Sequence, residues 1–133
     1  MDGMGIVAVL VAGLATWVLG AAWYMAFARP WMAVSGVPTR DGRPANASNP
    51  VPFGVSALLL LALAGMMRHI LIRSGIDTPG AAALVGAGLG AFIASPWIVM
   101  ANLYAMRPVT LSLIDAGYAT LGCTLCAVVL VLF

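Results

Sequence analysis

Four apolar stretches, each about as long as a bilayer is thick, constrain this chain more than any motif in it. A hydrocarbon core of about 30 Å asks for roughly 20 apolar residues per helix. The stretches run from about residue 4 to 27, 53 to 72, 80 to 104 and 109 to 132. Between them stand residues that leave lipid or end helices: Arg29-Pro30, the polar loop 28–51 with "GVPTRDGRPANASNP", Arg73 to Pro79, and Arg107-Pro108. Lipid offers the backbone no hydrogen-bond partner, so each stretch must satisfy itself as a helix. The expectation is an all-α integral membrane four-helix bundle of antiparallel up-down topology, with residues 1–133 forming one transmembrane domain.

Composition supports this and removes other classes. Only 8% of residues are charged and 63% are hydrophobic, whereas soluble domains carry about 25% charged residues. The net charge of +2 comes from six arginines and four aspartates with no lysine or glutamate. Scattered arginines do not make the dense basic stripe that nucleic acid requires, so the expected partner is the lipid bilayer. The opening "MDGMGIVAVLVAGLATWVLGAAW" lacks a positive leader and is too long for a signal core; it reads as a retained first span. Arg29, Arg40, Arg43 and Arg107 fall on one side of the expected membrane, Arg68 and Arg73 on the other. The positive-inside rule then puts the long loop in the cytoplasm and both termini outside.

Local signals fix the ends of the helices. Pro52 suits a first helical turn, Thr78-Pro79 reads as a cap followed by proline, and Gly75 is a natural stop. The loop 28–51 is the only connection long enough for a structure of its own. Pro96, in the middle of the third stretch, should kink that helix. Small residues mark places of close approach: Gly13 and Gly20 in the first stretch, and Gly86, Gly90 and Ala94 in the third. The latter form a G-x-x-x-G stripe whose first expected use is packing within the bundle and whose second is homodimerisation.

Polar residues inside the spans are the candidates for function. Asp115 lies about 10 Å below the surface marked by Pro108 at 1.5 Å per residue. A carboxylate there costs about 2.5 to 3.5 kcal/mol on insertion scales, so it must have a partner or be neutral. Ser112 and Tyr118 share its helix face, and Asn102 or Arg29 are within reach from neighbouring helices. With Arg107, Trp23 and Tyr24 at the same depth, these residues form one candidate polar and aromatic site. "WYMAFARPW" also reads as an interfacial belt. No metal or cofactor site is expected: His69 beside Arg68 reads as a surface residue, and Cys123 and Cys126, a C-x-x-C pair without further ligands or a relay, read as packing.

Trp23-Tyr24, Phe27, Pro30-Trp31 and Gly36 after the first span, with Asn102, Tyr104, Arg107-Pro108, Ile114 and Ala116-Gly117-Tyr118 around the fourth, resemble domain-of-unknown-function family 1761, small four-helix membrane proteins of bacteria. The resemblance covers nearly the whole chain and implies the topology and an inner-membrane setting, but no activity. The family pattern usually has asparagine where this chain has Asp115, and an acid where it has Ala105 or Met106. Asparagine cannot titrate, so the resemblance implies a hydrogen-bonding role at 115. Three classes of function remain: a non-enzymatic structural or partner-binding component, alone or in a larger membrane complex; a small-solute or ion transporter using Asp115; and a thiol or quinone oxidoreductase using Cys123 and Cys126.

Overall fold

The computed structural model describes residues 2–133 and contains four helices long and apolar enough to cross a membrane. Span one is Gly3–Ala26, span two Val51–Arg73, span three Pro79–Tyr104 and span four Val109–Leu132. Each bound lies within two residues of the one read from the sequence, because charge, proline and turn residues delimit a lipid-spanning helix on both sides. The topology is up-down. Gly3, Met4 and Val7 line a cleft of about 160 Å³ with Phe133, so both ends of the chain lie at one end of the bundle, the terminal end. The long connection and the turn before Pro108 lie at the other, the loop end.

The helix ends use the expected residues. The Thr78 hydroxyl accepts from the Ala81 amide with Pro79 in the first turn. Span two ends in a paired closure, Gly75 N–H to the Ile72 carbonyl and Ile76 N–H to that of Leu71. Span three closes in the same way, Met106 N–H to Leu103 and Arg107 N–H to Asn102, with Met106 at φ 57° where glycine is usual. The long connection folds into a helix, Ala28–Ser35, followed by a two-stranded hairpin, Thr39–Arg40 with Arg43–Pro44. Asp41 and Gly42 both have positive φ, the signature of the two-residue turn that matches strand twist.

Packing is inverted relative to a soluble bundle. The buried residues of span one are Gly5, Ala8, Ala12, Gly13, Thr16 and Gly20, while Leu10, Leu14 and Val18 face outward. Lipid tails are as apolar as leucine, so burying leucine against another helix gains little, and close backbone approach through small residues gains dispersion instead. Span four packs against all three others and span one against spans two and four, whereas spans two and three scarcely touch. Cys123 and Cys126 are free thiols in the core at the terminal half, among Ala8, Ala12, Ala64, Met67 and Ala127.

Gly86 and Gly90 are buried in the seam between spans three and four. A Cβ on Gly86 would strike the Cys123 carbonyl, and one on Gly90 would lie 2.6 Å from the Ala119 carbonyl oxygen. Gly86 and Gly90 are therefore used in packing within the chain, the first of the two uses expected of the stripe. The irregularity expected at Pro96 takes the form of a π-turn, Gly90–Ala94, just before it. There the wider turn brings the Ser95 amide and hydroxyl onto the Gly90 carbonyl, the latter at 2.6 Å.

Gly86→Leu is expected to lower stability by about 1 to 3 kcal/mol through overpacking. Gly88→Ala, where an added Cβ meets nothing within 4 Å, should leave stability unchanged or raise it by about 0.5 to 1 kcal/mol. Thermal unfolding of both variants in the same detergent measures the contrast.

Candidate functional site

Span four carries "IDAGY", residues 114–118, past the last two turns of span one, and the two helices exchange side chains there. The Trp23 indole N–H donates to the Ile114 carbonyl at 2.9 Å. One residue on, the Tyr24 hydroxyl donates to Asp115 Oδ1 at 2.7 Å. Returning the other way, the Tyr118 hydroxyl donates to the Thr16 carbonyl at 2.8 Å. Each bond satisfies a group that lipid would leave bare.

Glycine makes room for the rings. A Cβ on Gly20 would lie 2.6 Å from the Tyr118 hydroxyl oxygen, and one on Gly117 would lie 2.8 Å from a carbon of the Trp23 ring. Tyr24 meets Tyr118 edge-on at 5.6 Å between centroids and Trp31 at 6.1 Å, and Trp23 leans on Phe27 at 4.8 Å. Offset and edge-on arrangements of this kind are the favoured ones for aromatic pairs. Trp31 arrives from the short helix Ala28–Ser35, so the start of the long connection is anchored to the same cluster.

Trp23, Tyr24, Asp115 and Tyr118 thus meet as one cluster, and the other candidates fall around it. Asp115 takes its hydrogen bond from Tyr24 of span one, not from Ser112 or Tyr118 on its own helix face, nor from Asn102 or Arg29, the neighbours expected within reach. Ser112 is engaged by Asn102, whose amide donates to its hydroxyl oxygen at 3.2 Å. Arg107 is exposed and rests its guanidinium against Gly36, where a Cβ would collide with it. Tyr104 is 89% exposed. His69 is exposed at the terminal end, where Arg68 faces Asp2 at 3.9 Å. Asp115 keeps one oxygen, Oδ2, without a hydrogen bond from the described residues, and that atom is not sealed from its surroundings.

Three polar nodes escaped the sequence reading. Thr16 bonds the Ala12 carbonyl and offers its own carbonyl to Tyr118. Trp17 donates to Ser56 Oγ at 3.1 Å, tying spans one and two. Ser95 lies 3.4 Å from the Ala116 carbonyl and 3.5 Å from Thr120 Oγ1, across the seam of spans three and four. The signal was present only as two single hydroxyls, which helices commonly satisfy on their own carbonyls, and one indole in apolar runs.

Residues 7–131 match the family described as Protein of unknown function (DUF1761). The chain belongs to the DUF1761 family. No curated protein and no solved structure matches it. Within this DUF1761 protein the residues that carried the resemblance converge at the loop end: Trp23, Tyr24, Phe27 and Trp31 on Ile114, Gly117 and Tyr118, and Gly36 on Arg107.

Asp115→Asn retains an oxygen for the Tyr24 hydroxyl and is expected to cost under about 0.5 kcal/mol. Tyr24→Phe deletes the bond at a cost of about 1 kcal/mol, in the range of hydrogen bonds between membrane helices. Gly20→Leu evicts Tyr118 and should cost more, about 1 to 3 kcal/mol. Unfolding of the three variants in one detergent gives this order; an Asp115→Asn variant as damaged as Gly20→Leu would mean that charge, not the hydrogen bond, matters at 115.

Proposed function

We propose that this DUF1761 protein is a non-catalytic membrane component that acts by holding a second membrane protein against span three. One observation carries the reading. Trp97 stands 70% exposed on the outside of the span, and its indole N–H donates to no described residue. It precedes Tyr104 by seven residues, so it sits roughly 10 Å along the helix from the loop end at 1.5 Å per residue. That is inside the hydrocarbon, below the interfacial belt where tryptophan is stable with its N–H in the headgroups. Acyl chains offer an indole no acceptor, whereas a neighbouring helix offers carbonyls and hydroxyls. Met100 and Tyr104 continue the same stripe at helical spacing, both exposed.

The cluster around Asp115 supports the same reading. Its hydroxyls and indole are engaged in fixed bonds between spans one and four, which suits a rigid support for a docking face. The clefts of about 160 and 200 Å³ lie at the terminal end, away from it. The free Oδ2 of Asp115 favours a second reading, a path for a small solute or ion passing that oxygen. For either reading we put the loop end in the cytoplasm and the termini outside a bacterial inner membrane, from the excess of arginine at the loop end.

Trp97→Leu keeps the surface apolar and removes the donor. Extraction in a mild detergent should yield a complex larger than the monomer from the unaltered protein, and the variant should lose it while its own thermal unfolding is unchanged. A lone monomer from the unaltered protein, or a complex indifferent to Trp97→Leu, overturns the docking proposal. In proteoliposomes, Asp115→Asn should leave solute flux at the unaltered level; loss of a flux carried by the unaltered protein would turn the assignment to transport.

A further inference from the structure

The loop end carries an unbalanced charge. Arg29, Arg40, Arg43 and Arg107 are all exposed there, Asp41 is the only exposed acid at that end among the described residues, and none of the four arginines forms an ion pair with a described residue. The terminal end differs: Arg68 faces Asp2, and Asp77 follows Arg73 by four residues.

Within this excess, two arginines are set side by side by the backbone. The hairpin register pairs Arg40 with Arg43 across the Asp41-Gly42 turn. Directly opposed residues on an antiparallel pair project to the same face with Cβ atoms about 5 Å apart, and like charges in that position oppose the pairing. The ladder has only two residue pairs, Thr39 with Pro44 and Arg40 with Arg43, extended by the Ala45 N–H to Pro38 carbonyl bond at 2.7 Å. So short a hairpin is marginal by itself, and a bound anion between the guanidiniums would remove the term that opposes it.

The position of the pair names the anion. Gly36 touches Arg107, which precedes span four by two residues, and Arg40 follows Gly36 by four. At no more than about 3.5 Å per residue, Arg40 stays within roughly 14 Å of that contact. The headgroup layer occupies the first several Å beyond the hydrocarbon on each side, so the pair is held beside it. Guanidinium forks match phosphate oxygens two at a time.

We propose that the Thr39–Pro44 hairpin binds the phosphate of an anionic phospholipid between Arg40 and Arg43, with Arg29 and Arg107 supplying the surrounding positive field. The site is independent of the docking face on span three, and its failure leaves that face untouched.

The test uses the full chain in bilayer discs of equimolar phosphatidylglycerol and phosphatidylcholine, with retained lipids counted by native mass spectrometry after release into detergent. The unaltered protein should retain phosphatidylglycerol in preference. Arg40→Gln with Arg43→Gln should lower that preference about thirtyfold, on about 1 kcal/mol per basic residue at a membrane surface, with helical content unchanged. Arg40→Lys with Arg43→Lys keeps the charge but loses the forks and should retain only part of it, and Arg68→Gln with Arg73→Gln should have no effect. The proposal is overturned if the glutamine pair retains the full preference, if the terminal-end pair loses it equally, or if inorganic phosphate displaces the lipid. No preference in the unaltered protein also overturns it and directs the search to an acidic protein segment.

Discussion

Helices in lipid gain almost nothing by hiding leucine from acyl chains, and this bundle is organised around that constraint. Its seams are lined mainly with glycine, alanine, serine, threonine and cysteine, so that backbones approach closely and the attraction comes from dispersion and hydrogen bonds. Gly86 against Cys123, Gly90 against Ala119 and Gly13 against Leu61 set the spacing of spans three, four, one and two. Where a bulky ring enters a seam, a glycine faces it, as Gly20 faces Tyr118 and Gly117 faces Trp23.

From that spacing the polar cluster follows. Once Tyr118 can lie across Gly20, its hydroxyl reaches the Thr16 carbonyl, and the adjoining turns bring Tyr24 to Asp115 and Trp23 to the Ile114 carbonyl. A carboxyl at this depth is costly by a few kcal/mol, and the Tyr24 bond offsets part of that cost. The cluster also anchors Trp31 and thereby the short helix Ala28–Ser35, from which Gly36, Arg107 and the arginine hairpin are held at the loop end. One set of contacts thus joins the interior of the bundle to the surface of its loop end.

How far the sequence revealed the site differed residue by residue. The depth of Asp115 and its shared level with Trp23, Tyr24 and Tyr118 followed from counting along helices, because an antiparallel bundle brings equal depths together. Its partner did not follow, since Ser112 and Tyr118 lie on its own helix face and only the rotation of span one against span four decides for Tyr24. Arg107 was at the right depth and proved to lie on the surface, since nothing in a one-dimensional pattern specifies which way a residue in a turn points. Thr16, Trp17 and Ser95 gave no sign, because a single hydroxyl or indole in an apolar run is as compatible with lipid facing as with a seam.

By itself the sequence determined the four spans, their order and their ends, because lipid admits only self-satisfied helices and because proline, glycine and arginine mark their limits wherever they occur. It also determined that the chain would carry polar groups at depth near the loop end. Only the tertiary structure decided which faces meet: that the Gly86 and Gly90 stripe is used inside the chain, that Tyr24 serves Asp115, and that Trp97 is left outside. The physical reason is that helix rotation in a membrane is set by the fit of small residues and by hydrogen bonds between helices, and both are properties of pairs of surfaces.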